Sequence, residues 1–238
     1  MIDLDAFLEK NVEGYLFGDL ATLKIATHQP ERTYGAVAYP LLLSTFAGIE
    51  LLGALVSSRA FVPNNGSKYF DSFWRNYLYN TDAARADAGA SIYKLARHGL
   101  AHSFVVKGTL EVVKHAPHLH LVRMNNGAFS VDAVQLATDL ETAYQTRVKV
   151  LARAVSGTVT THTMSDRLNE MATEFQQQAS PIMNSLRLPE AIPNSTGPMT
   201  TDLPSNTDGT QGPSGSAFPM PSTVERGIGA YRDKLTNI

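Results

Sequence analysis

The densest chemistry in this chain is the run Arg97-His98-Gly99-Leu100-Ala101-His102, in which four residues separate an arginine from a histidine. A guanidinium presents paired donors that match a phosphate and can neutralise charge building on it. An imidazole titrates near neutral pH, so His102 is suited to take a proton from a ribose 2′-hydroxyl. Together the two groups make a candidate phosphodiester-cleaving pair whose route requires no metal. Gly99 lets the chain leave a helix without a side-chain penalty, which places Arg97 at a helix end with Tyr93 and Lys94 on the preceding turn. The plainer reading is that Arg97 complements the negative end of its helix and His102 is a satisfied, partly buried histidine.

Glu50 is the next candidate. It sits within Gly48-Ile49-Glu50-Leu51-Leu52, where a carboxylate is costly to bury unless it is paired. Its partner is expected to be a basic group on a facing helix: Arg97 or a histidine of the run, or another base, with an exposed position as the remaining option. The tract His115-Ala116-Pro117-His118-Leu119-His120 has the look of a metal site, and in a strand His118 and His120 would share a face. No cysteine or nearby carboxylate completes a ligand set and Pro117 suggests a turn, so a structural or RNA-facing role is the better reading and no metal site is assigned. There is no phosphate-binding glycine loop, dinucleotide fingerprint, serine-nucleophile elbow or zinc-protease motif.

The arginine-to-histidine spacing, with a polar residue beside the arginine and apolar helices leading into it, resembles the HEPN superfamily of helical-bundle proteins. Arg97 and His102 match the two key positions and His98 the polar one, over roughly residues 1–107. The resemblance implies an RNA-directed protein working as a homodimer, with Arg97 stabilising phosphate, His102 as acid and base, and His98, Tyr93 and Glu50 orienting them. Members include metal-independent endoribonucleases of toxin or defence type, partnered by an antitoxin or a nucleotidyltransferase. Others are non-catalytic modules that bind RNA or protein. No cofactor is implied. The sequence departs from the family pattern in having a β-rich stretch after the motif and a histidine where an amide or acid is more usual.

Local charge agrees with a phosphate-bearing partner. Between Asp82 and Arg123 there are six Lys or Arg against three acids, and five of the seven histidines fall in the same window. The chain as a whole is near neutral, at net −2, which argues against a uniformly basic nucleic-acid binder.

The elements that must position these residues are mostly helical. Apolar residues at three- and four-residue spacing predict a helix from Leu4 to Ala26, capped by Asp3 or Asp5. Ala36–Ser58 reads as a second helix, apolar nearly all round. It is long enough to span a bilayer, but Glu50 at mid-span costs about 2.5–3.5 kcal/mol there, so a buried central helix is expected. Lys68–Tyr79 carries an aromatic stripe read as core, and an alanine-rich helix with Thr81 as cap runs to Arg97. A small antiparallel meander is expected over about 103–130, with Asn126-Gly127 as a hairpin turn. Helix resumes near Val131, capped by Ser130, and a last helix starts near Ser165 and ends before Pro181.

The 238 residues hold 43% apolar and 18% charged side chains, enough for a real core, and no cysteine, which excludes disulfides and thiolate chemistry. Residues 1–188 are expected to form one globular domain. From 189 to 238 the composition turns to Pro, Gly, Ser, Thr and Asn and cannot offset its ordering entropy, so a flexible tail is expected. Within it, Thr223–Leu235 is either a weak helix or docking peptide or, more simply, a solvated end. The acidic N-terminus lacks the layout of a secretory signal, so a cytoplasmic protein without membrane contact is expected.

Overall fold

In a computed structural model the chain divides into two units, Met1–Arg187 and Leu188–Ile238. The structure describes residues 2–29, 37–97, 110–153 and 159–185. The predicted tail, residues 103–109 of the strand expected over Ser103–Lys114, and both His98 and His102 lie outside the described residues.

The first unit is mainly α-helical with a small three-stranded sheet, as the hydrophobic periodicity predicts. Helix α1 (residues 4–26) is one continuous rod made of Leu4–Phe7, a wider-turned π-helical stretch Leu8–Phe17, and Gly18–Ala26. Asp3 accepts from the amide of Ala6 and caps it. The expected stripe is buried at Leu4, Leu8, Val12 and Leu20, but Tyr15 is 60% exposed. The wider turns change the phase of the helix, and Phe17 takes the inward position instead.

Helix α2 (Ala38–Leu55) is the central element, with eleven of its residues buried. Among the described residues it is the one helix long and apolar enough to cross a membrane. Here it contacts α1 and each later helix, meeting α4 through the Tyr93–Arg97 stretch. Two glycines set how closely its neighbours approach. A Cβ on Gly53 would fall 2.2 Å from the Tyr69 carbonyl oxygen, and one on Gly48 would meet Leu16 and Leu140 at 2.9 Å.

Helix α3 (residues 66–78) comprises Gly66–Phe73 and the π-helical Trp74–Leu78. Its aromatic stripe is core, as expected: Tyr69, Phe70, Phe73 and Trp74 are buried. Phe70 packs on Phe46 of α2 with ring centroids 5.0 Å apart, and on Trp74 at 5.4 Å. Helix α4 (residues 83–97) comprises Ala83–Ile92 and the π-helical Tyr93–Arg97. Its cap is Asp82, which accepts from the amide of Arg85, rather than Thr81. The aspartate lies one residue closer to the first turn, in the extended conformation a cap requires.

The strands are β1 (Leu110–Val113), β2 (Val122–Arg123) and β3 (Phe129–Asp132), in the order β1-β3-β2. The Asn126-Gly127 hairpin is present: β2 and β3 are antiparallel, and Gly127 takes a positive φ of 82° at the turn. The expected antiparallel meander is corrected at the other edge, where β1 pairs with β3 in parallel. Two residues in left-handed backbone, His115 and Leu121, turn the chain on either side of a short 3-10 turn, Pro117–Leu119. The chain therefore crosses over before it reaches β2.

Helix α5 (residues 133–153) follows directly as Ala133–Ala143, Tyr144–Val148 and Lys149–Arg153. Its cap is Asp132, whose carboxylate accepts from the amides of Val134 and Gln135. Ser130, the expected cap, is a buried residue of β3. Helix α6 (Val159–Ser185) begins before Ser165 and continues through Pro181 instead of ending there. Leu168 and Met171 turn inward, whereas residues 176–185 are exposed.

Candidate functional site

Three helices converge on the arginine of the sequence motif. Arg97 is the last described residue of α4, and its Nε donates to Glu50 Oε1 of α2 at 2.9 Å. Both side chains are sheltered, Glu50 being 22% and Arg97 31% exposed. This is one of the pairings that burial of a carboxylate in an apolar helix demands.

Tyr93, one turn before Arg97, completes the group by donating its hydroxyl to Glu50. Burial pushes the Tyr93 phenol upward, the charge of Glu50 adds to this, and Arg97 opposes it. The ring of Tyr93 is fixed by Phe70, at 5.0 Å between centroids. The site is walled by the first residue of α3, since a Cβ on Gly66 would fall 2.6 Å from Glu50 Oε2 and 3.3 Å from the Tyr93 oxygen. A side chain there would press on the Glu50 carboxylate and shift it away from its present contacts.

Glu50 therefore holds the guanidinium by one edge. Among the described residues no hydrogen-bond partner meets the two terminal nitrogens of Arg97, the edge of a guanidinium suited to bidentate contact with an oxyanion. The π-helical turn Tyr93–Arg97 carries both residues, and such turns recur at functional sites. Of the five site residues read from the sequence, the structure brings together Glu50, Tyr93 and Arg97. His98 and His102 lie outside the described residues.

The histidine tract does not gather. His115 Nε2 lies 2.9 Å from the Thr27 hydroxyl and its ring is edge-on to His28. His118 is exposed in the 3-10 turn, while His120 is 2% exposed. The turn that Pro117 suggests is present, a 3-10 turn over Pro117–Leu119, so His118 and His120 do not share a strand face. Among the described residues no three His, Asp or Glu side chains group so as to hold a metal ion.

Sequence reasoning missed a second polar cluster. Tyr79 donates to Asp139 Oδ2 at 2.7 Å and meets His120 Nε2 at 3.0 Å, while Gln135 donates to Asp139 Oδ1 at 2.7 Å. His120 flanked by Leu119 and Leu121 was the available signal of burial, but nothing local names its partners. Burial and the neighbouring carboxylate push the Tyr79 phenol strongly upward, so it stays a proton donor. Burial acts to raise Asp139, but the hydrogen bonds from His120, Tyr79 and Gln135 outweigh it and hold the carboxyl below its usual value.

A carboxyl held low in the folded chain contributes stability above its unfolded pKa, about 3.9, and loses it as pH falls through the lower folded value. Urea denaturation between pH 5 and pH 2 is therefore expected to show a loss of stability that Asp139→Asn reduces. An identical pH profile for the two proteins would mean that Asp139 does not titrate with folding.

Compared with known proteins, the chain matches no family model, no curated protein and no solved structure. Its reading rests on its own residues.

Proposed function

We propose that this chain is an RNA-directed helical protein of HEPN-like type, in which Arg97 receives a backbone phosphate. The observation that supports it is the Glu50–Arg97 contact: a sheltered carboxylate, itself bonded by Tyr93, orients the motif arginine through Nε, and its terminal nitrogens meet no partner among the described residues. An arginine pre-oriented in this way loses less freedom on binding an anion than a free surface side chain does.

The reaction that fits the pair is transfer within the RNA strand. His102 takes the proton of a ribose 2′-hydroxyl, and the 2′-oxygen bonds to the adjacent phosphorus. The bond to the 5′-oxygen breaks, leaving a 2′,3′-cyclic phosphate, and that 5′-oxygen receives a proton. Arg97 stabilises the extra negative charge on the phosphoryl oxygens. In the proposal two copies of the chain bring their motifs together as a homodimer, and an antitoxin or nucleotidyltransferase is the class of partner.

Incubation of single-stranded RNA with the purified chain in EDTA tests this. Cleavage is expected, with Arg97→Ala or His102→Ala lowering the rate at least about 100-fold, the size of losing one stabiliser of a developing oxyanion. Glu50→Gln, which keeps an acceptor but not the charge, is expected to cost less, about tenfold. Tight RNA binding without cleavage would leave a non-catalytic binding module. Absence of binding would overturn the RNA reading altogether.

A further inference from the structure

Beside the Glu50–Arg97 pair, the loop that joins α2 to α3 is shaped on both sides into a cavity. On one side is a pocket of about 360 Å³. Phe61, Tyr69 and Phe175 supply aromatic surface, Asn64 and Asn65 supply amides, and Glu50 borders it. On the other side is a wider pocket of about 800 Å³, which shares Val62, Asn65 and Tyr69 with the first. Both fall in the roughly 300–1,000 Å³ range of ligand sites.

The two halves differ in chemistry. The wider pocket is lined by Arg59 and Lys68 and, among the described residues, by no carboxylate. Among the described residues neither Arg59 nor Lys68 meets an acid, although the chain makes eight ion pairs elsewhere among them. The smaller pocket is the aromatic one. Phe61 lies nearly parallel to Tyr69, with centroids 5.7 Å apart, and Phe175 stands edge-on to Phe61 while 53% exposed.

The loop between them is held in place. Phe61 donates its amide to Glu170 Oε2 of α6 at 2.7 Å, and Val62 donates to the Tyr69 hydroxyl at 2.7 Å. Asn64 takes a left-handed φ of 64° at the tip. A loop pinned at Phe61 and Val62 presents its backbone and the Phe61 ring at a lower ordering cost at the moment of binding.

The geometry points to a nucleotide subsite for single-stranded RNA along this loop, with a base in the aromatic pocket and its neighbouring phosphate on Arg59 and Lys68. Aromatic surface next to unpaired cations is what tracks a single strand, since every base offers a face to stack and every linkage a charge. A duplex keeps its bases stacked inside and cannot use the pocket. The subsite rests on the RNA reading above and deepens it, because the aromatic pocket opens beside Glu50, the residue that holds Arg97.

The test uses the full chain, a short fluorescent oligouridylate carrying 4-thiouridine, and fluorescence anisotropy across a salt series. Arg59→Ala with Lys68→Ala is expected to weaken binding at least about tenfold. It should also lower the slope of log affinity against log salt by about 0.7, the share of one single-strand phosphate contact. Phe175→Ala, at an exposed position, is expected to weaken binding about tenfold by removing stacking surface. Illumination should join the probe to the segment from Ser57 to Tyr69. Unchanged affinity and slope in the double variant, with Arg97→Ala still weakening binding, would overturn the subsite and leave the RNA reading standing. A duplex competing as well as the single strand, or crosslinks confined to other segments, would also overturn it. A wild-type chain that binds no RNA would end both readings.

Discussion

Trp74→Ala is expected to destabilise the chain by about 3–5 kcal/mol, the usual cost of deleting a large aromatic side chain from a packed core. Trp74 has no exposed surface and stands between three elements. Its ring stacks on Phe70 at 5.4 Å and tilts against Tyr79 at 4.8 Å, and a Cβ on Gly89 of α4 would fall 2.7 Å from Cδ1. Its indole nitrogen also donates to the Arg85 carbonyl at 2.8 Å, tying α3 to the first turn of α4. Truncation leaves both a cavity and an acceptor without its donor.

The effect should reach the site, because α4 carries Tyr93 and Arg97 on its last described turn. Urea denaturation with an unchanged m-value measures the stability loss. Trp74→Phe, which keeps most of the packing but not the hydrogen bond, should cost less than half as much. A loss below about 1 kcal/mol for the alanine variant would mean that α4 is positioned by other contacts.

The second large effect is expected at Asp132, which is 1% exposed. Its Oδ1 accepts from the amides of Val134 at 2.8 Å and Gln135 at 3.0 Å, and its Oδ2 accepts from the amide of Ala116. One carboxylate therefore caps α5 and also holds the corner at His115, where the chain leaves β1. Loss of a cap costs about 0.5–2 kcal/mol. A buried amide left without an acceptor adds about 1–3 kcal/mol. Asp132→Ala is thus expected to destabilise by about 2–4 kcal/mol, the sum being discounted because the freed amides relax toward water.

Asp132→Asn separates the two roles. Its amide oxygen can still cap α5, but its NH2 group would face the N–H of Ala116, donor against donor. An intermediate loss is expected, together with faster hydrogen exchange at Ala116. If the asparagine variant matched the wild type, the bond to Ala116 would carry no weight and the corner would be held by the sheet alone.

These two residues also show what could be read without coordinates. Trp74 was legible as core, because an aromatic stripe at helical spacing must be buried somewhere. That it locks α4 through Gly89 and the Arg85 carbonyl was not, since both partners lie beyond one helix turn. Asp132 illustrates a smaller miss. The cap was expected at Ser130, two residues early, because serine is a good cap and nothing local shows that β3 extends to Asp132. Similarly, the hairpin at Asn126-Gly127 is written in two residues, but the parallel pairing of β1 with β3 depends on a crossover built from His115 and Leu121.

The arginine site divides along the same line. Sequence alone indicated that Glu50, inside an apolar helix, is best served by a basic partner, and that Arg97 lies on the helix that carries Tyr93. Both follow from local period and from the cost of burying a charge. Only the tertiary structure decided that these two requirements meet each other. The convergence depends on Gly53 letting Tyr69 approach α2 and on Gly66 letting α3 close over the carboxylate. It also depends on the Trp74 contact that sets the position of α4. Such contacts join residues far apart in the chain, and a spacing pattern holds no information about them. The same holds for the loop pocket and for the His120–Tyr79–Asp139 cluster, whose members are 19 or more positions apart and come together only when three elements pack.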